Sequence, residues 1–223
     1  MKLYQKLDGG VLSSAREYDI AANTAIVRGQ FVKLSEGKVI SAVAAETGAL
    51  LGVAAENHSG VADALDPRAN GTKIMVYDDP SAVYQCAAPQ VTAAAGGSST
   101  TLVVTAGQYF ANDDFNGGYV KLISKAANST NTDEIGTVRA ISDFAVTANT
   151  SGTFTIASGG TPAAGDVYAV YPPAGFAKGN LSADKDGLVL SASASLPIRV
   201  IGADVRLGKI NVMVKKHVFA VDA

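Results

Sequence analysis

The chain has 223 residues but only two histidines and one cysteine, so nucleophilic or metal chemistry would have to be built from very few side chains. One histidine lies in Leu50-Leu-Gly-Val-Ala-Ala-Glu-Asn-His-Ser-Gly60, where Glu56, His58 and Ser59 bring an acid, a base and a hydroxyl close together in sequence. A nucleophilic serine needs its base within hydrogen-bond reach and an acid to orient that base. It usually stands on a sharp exposed elbow of the form G-x-S-x-G. That pattern does not occur here. Neighbouring residues of an extended strand point to opposite faces, so His58 and Ser59 would not meet. The expectation is that Glu56, His58 and Ser59 are solvated turn residues, where a buried apolar strand over 48–55 runs out. The other histidine, His217, falls in an alternating strand over 210–221.

Metal and cofactor chemistry is equally short of ligands. One cysteine, Cys86, closes no intrachain disulfide and builds no zinc site, and reads as a small buried hydrophobe. Ser182-Ala-Asp-Lys-Asp-Gly187 resembles the opening of a calcium loop. Such a loop needs an acid at its first position and a glutamate at its twelfth, and here those are Ser182 and Ser193. Asp184-Lys-Asp-Gly187 therefore reads as a hairpin turn. The pairs Asp78-Asp79 and Asp113-Asp114 sit among Asn, Gly and Pro and read as solvated turns, without the burial that would raise the pKa of one carboxylate. No phosphate-binding glycine loop is present. No catalytic residue, metal or cofactor is expected.

Bulk properties point the same way. Formal net charge is −2, and the densest basic cluster is Lys215-Lys216-His217 inside an apolar stretch, so no nucleic-acid partner is expected. The N-terminus Met1-Lys-Leu-Tyr-Gln-Lys-Leu-Asp-Gly-Gly10 lacks an apolar signal core, and no run reaches the roughly 18 apolar residues of a membrane span. No membrane partner is expected, and the protein should work in the cytosol or in something assembled there. Hydrophobic residues make up 48% and charged residues 17%, which favours contact with other proteins through shape and apolar area.

The elements that would carry these residues are strands. Short β-branched runs are punctuated by Gly and Pro turns over 24–28, 30–35, 38–43, 72–77 and 83–86. A second series follows at 101–105, 118–125, 135–144, 153–157 and 166–171, and a third at 188–191, 198–206 and 210–221. That spacing predicts an all-β barrel or sandwich. Small polar residues over 87–100 read as a linker or exposed loop. Residues 88–173 are therefore expected to form an inserted β-module, within a discontinuous domain of residues 24–87 plus 174–223. Residues 1–23 read as an extended arm, with at most one helical turn at 13–17. Gly29-Gln-Phe-Val-Lys-Leu34 echoes Gly117-Gly-Tyr-Val-Lys-Leu122, as two strands entered from glycine turns would.

The order of these strands carries a resemblance. Arg28-Gly-Gln-Phe-Val-Lys-Leu34, the hairpin Glu36-Gly-Lys-Val-Ile40, Leu51-Gly-Val-Ala-Ala-Glu-Asn57 and Gly71-Thr-Lys-Ile-Met-Val-Tyr-Asp-Asp-Pro80 follow one another. Leu196-Pro-Ile-Arg-Val-Ile201 and Gly208-Lys-Ile-Asn-Val-Met-Val214 fit the same pattern. Together they resemble the head decoration, or capsid cement, proteins of tailed bacteriophages. The stretch from Gly117 through Gly136-Thr-Val-Arg-Ala-Ile141 to Pro173 is similar to β-modules inserted in such virion proteins. The resemblance implies a small β-barrel or β-tulip-like domain, no catalysis, and a place on the outer surface of the capsid after synthesis in the bacterial host cytoplasm. It also implies two partners: the major capsid protein, and neighbouring copies of the chain as a homotrimer or dimer.

Cement proteins bridge neighbouring subunits, and an extended arm suits that task by adding a strand to a partner's sheet edge. Leu3, Tyr4, Leu7, Val11, Leu12, Tyr18 and Ile20, apolar residues of the 1–23 stretch with no evident partner strand, are the expected partner-binding residues. The alternative is an arm packed on its own barrel. A second functional reading makes the chain a surface-exposed binding module, or another virion component such as a head fibre or tail protein, contacting a cell-surface ligand through Tyr109, Phe110, Phe115 and Tyr119. Buried core is the competing role for at least two of those four.

Overall fold

The computed structural model describes residues 2–6, 14–44, 46–60, 72–105, 111–147, 151–177, 179–181, 188–190 and 197–219. Among these residues the chain is all-β: seventeen strands, no helix, and three antiparallel sheets. Among the described residues no helix is long and apolar enough to cross a membrane.

The first sheet runs in the spatial order β1 (Lys2–Lys6), β7 (Ala82–Ala87), β17 (Lys209–Val214), β16 (Ile198–Asp204), β14 (Gly179–Leu181) and β15 (Leu188–Leu190). It joins strands from both ends of the chain. In β17 the alternation is strict, with Ile210, Val212 and Val214 turned inward. The second sheet is drawn wholly from residues 90–171. Its order is β8 (Gln90–Thr92), β13 (Val167–Tyr171), β10 (Tyr119–Ser124), β11 (Val138–Thr147), β12 (Ser151–Ile156) and β9 (Thr101–Val104). The third comes from residues 16–77, in the order β2 (Arg16–Asp19), β6 (Lys73–Tyr77), β5 (Gly52–Ala54), β3 (Phe31–Ser35) and β4 (Lys38–Ser41). Glu36 and Gly37 both have positive φ, the geometry a two-residue hairpin turn between β3 and β4 requires.

Two of the sheets curl until their edges touch. In the second, Ala93 bridges Val104, and the Ala94 N–H donates to Val103 O at 2.8 Å. In the third, Ile20 bridges Val39, and the Ala21 N–H donates to Val39 O at 3.0 Å. Single bridges do this joining, so neither sheet is a closed barrel. Inside the third lies a compact cluster of Ile20, Ile26, Val32, Val39, Leu51, Ala54, Ile74 and Val76. A larger core runs through all three sheets. At its centre Phe115 stacks edge-on against Phe144 and Phe154 and lies 5.1 Å from Phe176, which ties the second sheet to the segment leading towards β14.

Several local expectations are corrected. The 1–23 stretch is not without partner strands: β1 pairs with β7, β2 pairs with β6, and no helical turn forms at 16–17. Residues 24–28 form no strand, and only Ile26 makes a bridge, to His58. The strand expected over 48–55 is confined to Gly52–Ala54. Residues 87–100 are not simply a linker, because β8 pairs with β13 and Val91 and Ala93 are buried. Val91 and Thr92 are branched, but a strand of three residues between Ala87-Ala88-Pro89 and Ala93-Ala94-Ala95-Gly96-Gly97 is too short to stand out in a propensity reading. Leu7, Val11, Leu12, Tyr109, Phe110 and the Ser182–Gly187 turn lie outside the described residues.

Candidate functional site

The residues first suspected of chemistry, Glu56, His58 and Ser59, follow directly after β5. His58 is buried rather than solvated, because its backbone bridges Ile26 in both directions, at 2.8 and 2.7 Å. Its Nδ1 lies 3.1 Å from Thr24 O and 3.2 Å from the Gly60 N–H. Glu56 accepts the Met75 N–H at 2.9 Å. Ser59 is exposed on the other side of the chain. The acid braces β6 and the imidazole braces the turn at Thr24 and Gly60.

Five buried polar groups of the described residues were missed: Glu46, Asp78, Asn131, Arg139 and Asp166. Asp78 is buried, not solvated. It accepts the Tyr18 hydroxyl, and the Arg16 guanidinium stands 3.5 Å away. Burial and the neighbouring carboxylate push the Tyr18 phenol up to about 12. Asp166, fully buried, accepts hydrogen bonds from the Ala126 N–H at 3.0 Å, the Ala163 N–H at 3.1 Å and Asn131 Nδ2 at 2.9 Å. Burial alone would raise its pKa. These donors and Ser129 outweigh it and hold the carboxyl below the usual range. Buried Arg139 donates to Asp133, to Gly160 O and, at 3.3 Å, to Ser99 O. A fourth tie joins Lys33 on β3 to buried Glu46 at 2.7 Å.

A sequence signal for Asp78, Asp166 and Arg139 exists in phase. Ile74 and Val76 of β6 point inward, and Asp78 follows at the same period of two. Asp166 likewise precedes the inward Tyr168 and Val170, and Arg139 precedes Ile141. A charge that keeps the inward phase of its strand is turned inside and must be paired.

The outer surface shows the opposite preference. Tyr119 (43% exposed) and Val138 (44%) are diagonal neighbours on β10 and β11, since Tyr119 faces Ala140 and Lys121 faces Val138. Lys121 reaches across to Val205 O (3.2 Å) and Arg206 O (3.4 Å), which holds the β16–β17 hairpin tip, with Leu207 61% exposed, beside that face. Ile135, 64% exposed, stands in the turn before β11. An open groove of about 420 Å³ lies elsewhere, lined by Asp114, Pro173, Gly175, Phe176 and Lys215.

Of the expected partner-binding residues, the four within the described residues fall on different elements. Leu3 and Tyr4 lie on β1, where Leu3 is opposite Tyr84. Tyr18 is engaged with Asp78, and Ile20 is packed in the core of the third sheet. Phe115 belongs to the aromatic core, whereas Tyr119 is on the surface. Among the described residues no three His, Cys, Asp or Glu side chains are grouped to share a metal ion. Comparison of the chain with protein-family models, curated proteins and solved structures returns no match.

Proposed function

We propose that this chain is a structural protein of a tailed-phage virion that binds the outer surface of the capsid and bridges neighbouring major capsid proteins. In this reading, residues 24–87 plus 174–223 form a small barrel- or tulip-like capsid-binding domain, and 88–173 an inserted module. Copies associate with one another as a trimer or dimer.

The observation that carries the reading is an inversion of the usual enzyme layout. Asp78, Asp166, Arg139 and Glu46 are turned inward to fasten loops and strands, while Tyr119, Val138, Ile135 and Leu207 are turned out. A weakly charged surface with outward apolar side chains suits shape-based contact with proteins. The strand order quoted above, similar to capsid cement proteins, supplies the biological setting. Each contact is modest beside the roughly 1,600 Å² of a standard interface, and repetition over a capsid supplies avidity. Tyr119 also supports the second reading, a module that presents an aromatic to a cell-surface ligand.

The test is co-sedimentation of the purified chain with expanded phage heads that lack it, followed by heating of the heads. Saturable binding at a fixed ratio to capsid subunits, with raised head stability, is expected. Absence of binding at micromolar concentration overturns the proposal.

A further inference from the structure

Past Val214 the chain stays tied to Pro197 O, ahead of β16, through the Lys215 N–H at 2.5 Å and the Lys216 N–H at 3.3 Å, and it is also caught at Leu50, ahead of β5 of the third sheet. The Leu50 N–H donates to Lys216 O at 2.9 Å, and the Val218 N–H returns to Leu50 O at 3.0 Å, a short parallel bridge centred on His217. The imidazole between these two bonds is 4% exposed. Its Nδ1 accepts the Phe219 N–H at 3.1 Å, so the ring proton resides on Nε2, which is buried without a hydrogen-bond partner.

We propose that His217 is an acid-released clasp: protonation of its ring frees the turn over residues 215–219 from Leu50 and detaches this end of the chain from the third sheet. The argument is stereochemical. A second ring proton can only go onto Nδ1. There it turns an acceptor into a donor facing the Phe219 N–H, so that bond is lost as charge appears in a buried site. The ring relieves both by moving to water, and the two backbone bonds at Leu50 flank it.

The surrounding charges do not cancel this effect. The facing carboxylates are Asp78 and Asp79, from the turn after β6. Asp78 is already engaged by Tyr18 and Arg16, and Asp79 accepts the Ser81 N–H at 2.9 Å and the Ser81 hydroxyl at 2.7 Å. The Lys216 ammonium is held on Thr47 O at 3.2 Å, and Lys215 is exposed. Burial outweighs the two carboxylates and the nearby carbonyls of Leu51 and Asp78, and the ring titrates below its ordinary range. The opened state, with the ring in water, titrates near 6.5. Because the closed form has the lower pKa, opening takes up a proton. The clasp therefore weakens as pH falls through about 6.5, by up to about tenfold per pH unit, until the closed form itself titrates.

Hydrogen exchange measured amide by amide between about pH 7.5 and 5.5, corrected for intrinsic rates, tests this. The opening constant at Leu50 and Val218 should rise by up to about tenfold in the acid sample, while Ile141, in the second sheet, stays level. His217→Gln should abolish the rise. No rise in the parent chain, or an equal rise in His217→Gln, overturns the proposal. Should that variant not fold, proton NMR titration of the parent chain decides. With two histidines, His58→Gln assigns the signals. A His217 midpoint clearly below 6.5 supports the clasp, and one at or above 6.5 refutes it.

Discussion

Adding one methyl group at Gly52 should cost more stability than almost any other single-methyl change in the third sheet. Gly52 begins β5 at φ +154°, a conformation that L side chains rarely adopt. A Cβ there would stand well inside van der Waals contact of Tyr77 O, 2.9 Å from Tyr77 C and 3.1 Å from Asp78 Cα. These are backbone atoms and cannot swing aside. Tyr77 O is also the acceptor of the fully buried Tyr84 hydroxyl at 2.8 Å, so any retreat of the carbonyl loosens that bond. The separate costs are about 1–3 kcal/mol for backbone strain, about 1–3 kcal/mol for overpacking and about 1–2 kcal/mol for the weakened buried hydrogen bond. Their sum, about 3–8 kcal/mol, is comparable to the whole stability of a typical domain. At roughly 2–4 °C per kcal/mol, Gly52→Ala should lower Tm by at least about 6–12 °C. Gly37→Ala is the control: φ is +77°, but nothing lies within 4 Å of its Cβ, so only about 1 kcal/mol of backbone strain is expected. Thermal and urea unfolding of both variants provide the assay. A Gly52→Ala cost within about 1 kcal/mol of the Gly37→Ala cost would refute the close-approach argument. If Gly52→Ala yields no folded protein, Tyr84→Phe isolates the hydrogen bond, with an expected loss of about 1–2 kcal/mol.

Three further outcomes follow from residues beside the second sheet. Asp166→Ala strands one buried and two part-buried donors and should cost about 2–4 kcal/mol in denaturant unfolding. The folded pKa of Asp166 is depressed, so its contribution is complete above about pH 4 and is lost as pH falls through the folded value. Asp166→Asn should therefore show a flatter fall in Tm below about pH 4 than the parent chain, and parallel curves would exclude this carboxylate as a source of acid sensitivity. Phe115→Ala empties the centre of a four-ring cluster and should cost about 3–5 kcal/mol by calorimetry. A loss under about 1 kcal/mol would mean that the cluster is not tightly packed.

What the sequence made legible was whatever local pattern controls. β3, β4, β6, β7, β10, β13 and β16 lie close to the runs read from alternation, and Glu36-Gly37 turns where its residue types require. The matching hexapeptides at Gly29 and Gly117 are two strands, β3 and β10, each entered from a glycine of positive φ. Four strands were not legible. In β1, β2 and β14, polar or small residues outweigh the branched ones, β8 is only three residues long, and pairing with distant partners makes all four strands. The site was less legible than the fold. Asp78 and His58 were read as solvated from their neighbours in sequence. Their burial depends on Tyr18, Arg16 and Ile26, which are remote in sequence from Asp78 and His58 and arrive by way of long-range pairings. The exposed face of Tyr119, Val138 and Leu207 also depends on a contact no local window contains, the reach of Lys121 to the β16–β17 tip.

The position of β17 has a consequence for how the molecule comes into being. Its neighbour on one side is β7, and paired residues such as Gln85 and Asn211 are 126 positions apart. During synthesis β7 is complete long before β17 exists, so one edge of a strand carrying Val83, Tyr84 and Cys86 waits through more than half of the polypeptide. The second sheet, whose strands all lie between those two, can assemble in that interval. Closing the first sheet is then a late, long-range event of the kind that slows folding and leaves an unpaired edge open to intermolecular association. The yield of soluble protein should thus be decided by the interval between β7 and β17, a kinetic weakness in a molecule whose finished core spans all three sheets.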